Sequence, residues 1–436
     1  MAEEEQRASL AGEEALDIWR QGKDAWNAWI DEHPNVDIDF SGVDFRKERK
    51  KGSGAISFAG FRFGEGRVSF SRARFGDGDV WFLDTNFGNG DVSFDRVSFG
   101  DGKVSFDHAS FGKGDILFIR ANFGDGDVSF FRTTFGEGSV SFYAANFGNG
   151  VVTFFRASFE YGDIWFNRAR FGNGRFDLLL SHSKVENWFL EEVTFLGAVD
   201  INLSVGTDAL KKLSLRGTRF DSVLYLIGQF ACIPDLRLSK VSHHVDFSTL
   251  GVTLRWKPGP GWRRLAWRAE DKEDGPRLRR LKEVAEGARD HAAALRFAAL
   301  ENRANRWIRM GRLASMLDLA FSVTSDYGRS IARPTAWLLG LLALATGTLF
   351  WFSSPDLPSW NWGDQLDRAY DSVVLAATQA FAFLPPVKEV AAAANARLFG
   401  VDSIPRWAGM LALGHSLASF IFLFLIGLGL RNRFRL

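Results

Sequence analysis

The chain has 436 residues, enough for two or three domains, and its 53 basic and 52 acidic residues leave it almost neutral. That balance points to no polyanionic partner, so nucleic acid is not expected. One cysteine, Cys232, excludes a disulfide framework and any multi-cysteine metal site, and suits a reducing compartment.

Residues 1 to 35 begin with an acidic stretch that has no positive region followed by an apolar one, so no signal peptide is legible. Leu16, Trp19, Trp26 and Trp29 then fall in a stripe that predicts one amphipathic capping helix.

From residue 36 to 255 the pattern is that of a solenoid. Phenylalanine recurs every twelve residues from Phe63 to Phe171, and a second series runs five places ahead, from Phe58 to Phe166. Each unit adds a Val or Ile column (Val68, Val80, Val92, Val104) and a small-residue column (Ala73, Thr85, Val97, Ala109). Apolar residues two apart share one side of an extended segment, so each half-unit predicts one short β face. Gly-x-Gly follows the second Phe, as at Gly76 and Gly78, and supplies residues able to take positive φ at a corner. The strict repeat covers 56 to 175, and 176 to 255 reads as degenerate outer coils. Outward arginines (Arg72, Arg96, Arg120, Arg168) form a column that is either a solvated face or an anion-binding or partner-binding strip. The corner aspartates invite comparison with calcium-binding β-helix repeats, but Arg67, Lys103, Ser139, Val151 and Arg175 interrupt their column, so no metal is expected.

This five-residue register, a small residue and a large apolar one two places later, resembles the pentapeptide-repeat family. The resemblance spans roughly residues 37 to 175, starting at Val36-Asp-Ile-Asp-Phe40-Ser-Gly-Val-Asp-Phe45. It implies a right-handed quadrilateral β-helix with four faces per coil. The departure is a pair of extra residues at alternate corners, so that two faces take one twelve-residue unit and a whole coil takes two units.

Residues 256 to 333 form a basic linker; 255 to 333 holds 18 basic and 10 acidic residues. Leu278, Leu281, Ala285, Ala288, Ala292, Leu295 and Ala299 predict a helix within 277 to 316, either coupling the solenoid to the C-terminal part or packing on its last coil or on its symmetry mates.

The remainder, 334 to 436, is read as a two-span membrane domain. Residues 335 to 352 carry no charge, and 407 to 430 none but His415, so each run is long enough to cross a bilayer. Arg329 and Arg333 before the first span and Arg431, Arg433 and Arg435 after the second predict cytoplasmic termini in a plasma membrane. Between them, residues 372 to 386 form a shorter apolar run stopped by Pro385 and Pro386, which predicts a re-entrant helix. The order resembles the two-span pore module of tetrameric cation channels, and the closing Leu428-Gly-Leu-Arg-Asn-Arg-Phe-Arg435 and the approach Ser325-Asp-Tyr-Gly-Arg-Ser-Ile-Ala-Arg-Pro334 resemble those of bacterial proteins that fuse pentapeptide repeats to such a module, over about residues 277 to 436. The Thr-Val-Gly-Tyr-Gly signature of potassium filters is absent.

The resemblance implies a homo-oligomeric, tetrameric cation channel whose partners are the lipid bilayer, inorganic ions and its own copies. Its filter would be drawn from Thr378, Gln379, Ala380, Phe381, Ala382, Phe383, Leu384 and Pro385. Asp367 and Asp371 either ring an outer vestibule or complement a helix N-terminus. His415 is either a proton-sensing group or a hydrogen-bond link near Ser416 and Ser419. The alternative is a solenoid scaffold merely anchored by two spans. No enzyme or cofactor is expected, because Cys232 has no histidine constellation and Gly-x-Gly lacks a βαβ context.

Overall fold

The computed structural model describes residues 8–49, 54–203, 210–241, 245–247, 249–259, 267–353, 361–381, 387–399 and 406–434. It contains two compact units, Met1–Ile308 and Arg309–Leu436.

The first unit is a parallel β-solenoid of about 9 turns. Val68, Val92, Ile116, Val140 and Ile164 pair in succession on one face, and Val80, Val104, Val128 and Val152 on another. Each residue thus meets the one two twelve-residue units further on, and a coil holds two units. Two more ladders pair Phe111 with Phe135 and Phe159, and Phe171 with Phe195 and Phe220. The irregular stretch keeps the same plan with uneven coils: Phe176 pairs with Val199, Val199 with Leu224 and Leu224 with Val245.

Inside, the phenylalanines form stacked columns. Phe82, Phe106, Phe130 and Phe154 follow one another with ring centroids 4.6–5.0 Å apart, and Phe94 and Phe118 meet Phe106 edge-on at 5.5 Å. Both geometries favour the ring quadrupole, and every one of these rings is buried.

The glycine corners need a second explanation beyond positive φ. Gly88 does sit at φ +73°, but Gly90 has no such φ, and a Cβ there would lie 1.9 Å from the Gly66 carbonyl oxygen. Glycine stands on glycine because successive coils touch backbone to backbone. The alternate corners carry positive φ without glycine: Arg72, Arg96, Arg120 and Arg168 lie at 53–60°. That conformation costs roughly 1–2 kcal/mol for a non-glycine residue. Each of these N–H groups is in return bonded to a carbonyl of the next coil, as Arg72 N to Asp95 O at 2.8 Å.

The corner aspartates have a structural use. Asp79, Asp91, Asp115 and Asp127 turn Oδ1 onto the N–H of Lys103, Asp115, Ser139 and Val151, one coil on, at 2.8–3.0 Å.

Both ends of the stack are closed by donors. The single N-terminal helix expected from the sequence is instead a strand, Ser9–Ala11, paired with Asp37–Asp39, followed by α1 (Gly12–Arg20) and α2 (Lys23–Glu32). Gly22, at φ +95°, breaks the helix between them. The indole N–H of Trp26 reaches Arg62 O at 2.7 Å and that of Trp19 reaches Ser57 O at 3.1 Å. Arg49 bonds the carbonyls of Gly54, Phe75, Gly76 and Gly78 at 2.8–3.1 Å.

At the other end, an antiparallel pair (Trp256–Pro258 with Trp267–Ala269) precedes α3 (Asp274–Gly287) and α4 (His291–Asn305). The helix expected across 277 to 316 is therefore broken at Arg289, φ +60°, and restarts where Asp290 accepts from Ala293 N at 2.9 Å. Leu278, Leu281 and Phe297 join the solenoid core, Phe297 edge-on to Phe247 at 5.6 Å. Arg280 and Arg296 donate to Ser239 O at 2.7 Å and Phe247 O at 2.8 Å. Of the two roles open for this segment, packing on the last coil is the one these contacts describe.

The second unit is helical: α5 (Arg312–Ser325), α6 (Ala332–Phe352), α7 (Trp362–Ala380), α8 (Val387–Phe399) and α9 (Arg406–Phe434). α6 and α9, with 21 and 29 residues, are long and apolar enough to span a membrane. α7 begins well before the expected re-entrant segment, where the Asn361 side chain accepts from Gly363 N at 3.2 Å. α8 was not expected at all.

Candidate functional site

The candidate residues gather where α7 meets α9 and α8. α7 is amphipathic: Ser372, Leu375, Ala376 and Ala380 are buried, and Trp362, Leu366 and Tyr370 are exposed. Along its inner side polar groups meet α9. His415 Nε2 lies 3.0 Å from Ala376 O, and Ser416 Oγ donates to Gln379 O at 2.8 Å. His415 is 3% exposed and Ser419 fully buried. His415 Nδ1, Ser419 Oγ and Gln379 Oε1 have no hydrogen-bond partner among the described residues.

Thr378 turns back on its own helix, its hydroxyl donating to Leu375 O at 2.8 Å. Ala380 closes α7, and Phe381 N bonds to Ala377 O at 3.2 Å. Ala382, Phe383, Leu384 and Pro385 lie outside the described residues.

The two aspartates part company. Asp371 is 6% exposed and receives Nε and Nη2 of Arg397, on α8, at 2.7–3.0 Å. That carboxylate holds the Arg397 guanidinium above its usual pKa. Because α7 starts at Trp362, Asp367 and Asp371 stand beyond its first turn, so neither serves as the helix N-terminal charge; Asp364 occupies that place. Asp367 lines a polar cavity of about 250 Å³ with Ser353, Asp364, Arg368, Asp371 and Arg397.

Two arginines escaped the sequence reading. Arg368 donates to Ser353 Oγ at 2.7 Å, to Ser353 O at 2.8 Å and to Phe350 O, closing the carbonyl end of α6. Arg397 is 26 residues from its partner. Its one signal is a cation directly after the alanine-rich run from 391 to 396.

A second polar cavity, of about 220 Å³, lies in the solenoid unit around Cys232, with Arg255, Asp271, Asp274 and Arg277 in its wall. Burial pushes the Cys232 thiol up to about 11 and, with the Asp271 charge, the Asp274 carboxyl up to about 6. Among the described residues no three His, Cys, Asp or Glu side chains come together to hold a metal.

No protein-family model, no curated protein and no solved structure matches the chain.

Proposed function

We propose that the chain is one subunit of a homotetrameric, cation-conducting membrane channel, in which α6 and α9 cross the plasma membrane and the solenoid lies on the cytoplasmic side. In this reading the solenoid is a right-handed quadrilateral of the pentapeptide-repeat kind. The end of α7, with Thr378, Gln379, Ala380 and Phe381, leads into the narrow part of the pore, re-entering from the outer side.

The observation that carries it is the buried polar set between α7 and α9 that has no hydrogen-bond partner among the described residues. In hydrocarbon an unsatisfied buried polar atom costs several kcal/mol, so an anchor pair has no use for His415 Nδ1, Ser419 Oγ and Gln379 Oε1. A water-filled path, or a neighbouring subunit, supplies their partners. Arginines on the inner side of both spans support the orientation.

The test is planar-bilayer recording of the purified protein. Unitary currents with a cation-selective reversal potential are expected, and Gln379→Glu should alter the single-channel conductance without lowering membrane insertion. Silence at every voltage and pH tried, with intact insertion, would leave the anchored scaffold as the reading.

A further inference from the structure

Helix α5 is inside out for a helix in water. Its buried side chains are Ser315, Ser322 and Ser325, and Asp318 accepts from the Tyr327 hydroxyl at 3.0 Å. Leu313, Met316, Leu317 and Val323 are 72, 61, 64 and 48% exposed. Leu313 lies three and four residues before Met316 and Leu317, and Val323 seven after Met316, so the four share one stripe, which a soluble protein would turn onto its core. A continuous exposed apolar surface of this kind marks an interaction site.

Its place in the helical unit says what covers it. The turn that follows α5 is held to the end of α9: Asn432 Nδ2 donates to Gly328 O at 3.0 Å, and a Cβ at Gly429 would lie 3.0 Å from Ile331 Cγ1. Arg431 and Arg433 stand in that last turn of α9, and Arg329 and Arg333 flank the start of α6. The end of α5 therefore sits at the level where both apolar helices give way to cations. Its apolar stripe adjoins helices that themselves expose Leu339, Leu344, Leu417 and Phe420. With 14 residues it is about 21 Å long, too short for a hydrocarbon core of about 30 Å.

We infer that α5 is a membrane-surface helix, seated at the boundary between headgroups and acyl chains of the bilayer that α6 and α9 cross. This rests on the reading of α6 and α9 as spans. Leu313, Met316, Leu317 and Val323 enter the acyl region, the serines face protein, and Arg312, Arg329 and Arg333 meet anionic headgroups. The occupant is lipid rather than a second copy of the chain because the stripe runs on from the span surfaces and is bounded by cations.

Spin labels test it in the full chain, reconstituted in phosphatidylcholine–phosphatidylglycerol liposomes. Cys232 is buried with a raised thiol pKa, so labels go to introduced cysteines. The sites are Leu317→Cys and Met316→Cys on α5, Leu417→Cys on α9 and Glu137→Cys on an exposed solenoid corner. The ratio of oxygen to nickel-chelate accessibility should be several-fold higher at 316, 317 and 417 than at 137. Chelate reaching 316 and 317 as freely as 137, with 417 protected, overturns the inference and leaves the spans standing. Protection at 316 and 317 from both reagents also overturns it, in favour of a protein partner. Chelate reaching 417 sinks the membrane reading itself, and α5 with it.

Discussion

Asp371 and Arg397 form a two-pronged ion pair between α7 and α8, with the carboxylate buried and the guanidinium still partly in contact with the outside. The pair joins two helices separated in the sequence by Pro385 and Pro386. An aspartate that looked available to passing ions is thus committed to a neighbouring helix.

Breaking the pair should be asymmetric. Arg397→Gln strands a buried carboxylate and should lower the melting temperature more than the double replacement Asp371→Asn with Arg397→Gln, which removes both charges. Thermal unfolding of the wild type, Asp371→Asn, Arg397→Gln and the double variant in detergent, followed by circular dichroism, gives the coupling. Equal losses in the single and double variants would deny the pair a structural role.

The touching coils make a second prediction. Gly90→Ala places a methyl group 1.9 Å from the Gly66 carbonyl oxygen and should cost about 3 kcal/mol or more. Gly287→Ala, at the end of α3 with nothing within 4 Å of its new Cβ, should be neutral or gain up to about 1 kcal/mol. Chemical unfolding of the solenoid reads both, and similar costs at the two sites would contradict the packing described.

Removing one ring from the ladder should cost more than an ordinary cavity in a soft core. Phe106 has rings above, below and edge-on at 4.8–5.5 Å, so Phe106→Ala should lose about 3–5 kcal/mol and Phe106→Leu clearly less. The same unfolding experiment decides between them.

Asp274 makes stability depend on pH in an unusual direction. Folded, its carboxyl keeps a proton up to about pH 6, whereas unfolded it releases it near its ordinary 3.8. Between those values the folded chain binds more protons, so stability falls as pH rises through the window, by up to about 3 kcal/mol. Asp274→Asn should remove that fall, seen as a wild-type-minus-variant difference that changes between pH 4 and pH 6. A difference that stays flat would contradict the assignment.

Separation along the chain divides the features legible in the sequence from those that were hidden. The coil length was legible because Phe63 and Phe75 report a periodicity that every neighbour repeats, and α6 and α9 because hydrophobicity is a local sum. The closing contacts were hidden: nothing near Arg49, Arg280 or Arg296 says that their targets are carbonyls left open where the stack ends. The second glycine of each corner was seen but explained only by its freedom, whereas its neighbour one coil away supplies the stronger reason. At the candidate site, His415 stood out as an ionisable residue in an apolar run, while Arg397 declared nothing until α8 brought it to Asp371. The extent of α7 was missed because its first half, from Trp362 to Asp371, is too polar to read as membrane structure.

A coil built from two nearly equivalent twelve-residue halves makes chain length a measure of angle. Duplicating or deleting a whole coil changes the number of floors and leaves everything downstream facing the same way. Duplicating or deleting a single half keeps the apolar columns in register but exchanges one ladder for the opposite one, so that the rest of the chain is turned by half a revolution. Small unequal exchanges within such a gene would therefore have two distinct products, one that alters reach and one that alters bearing.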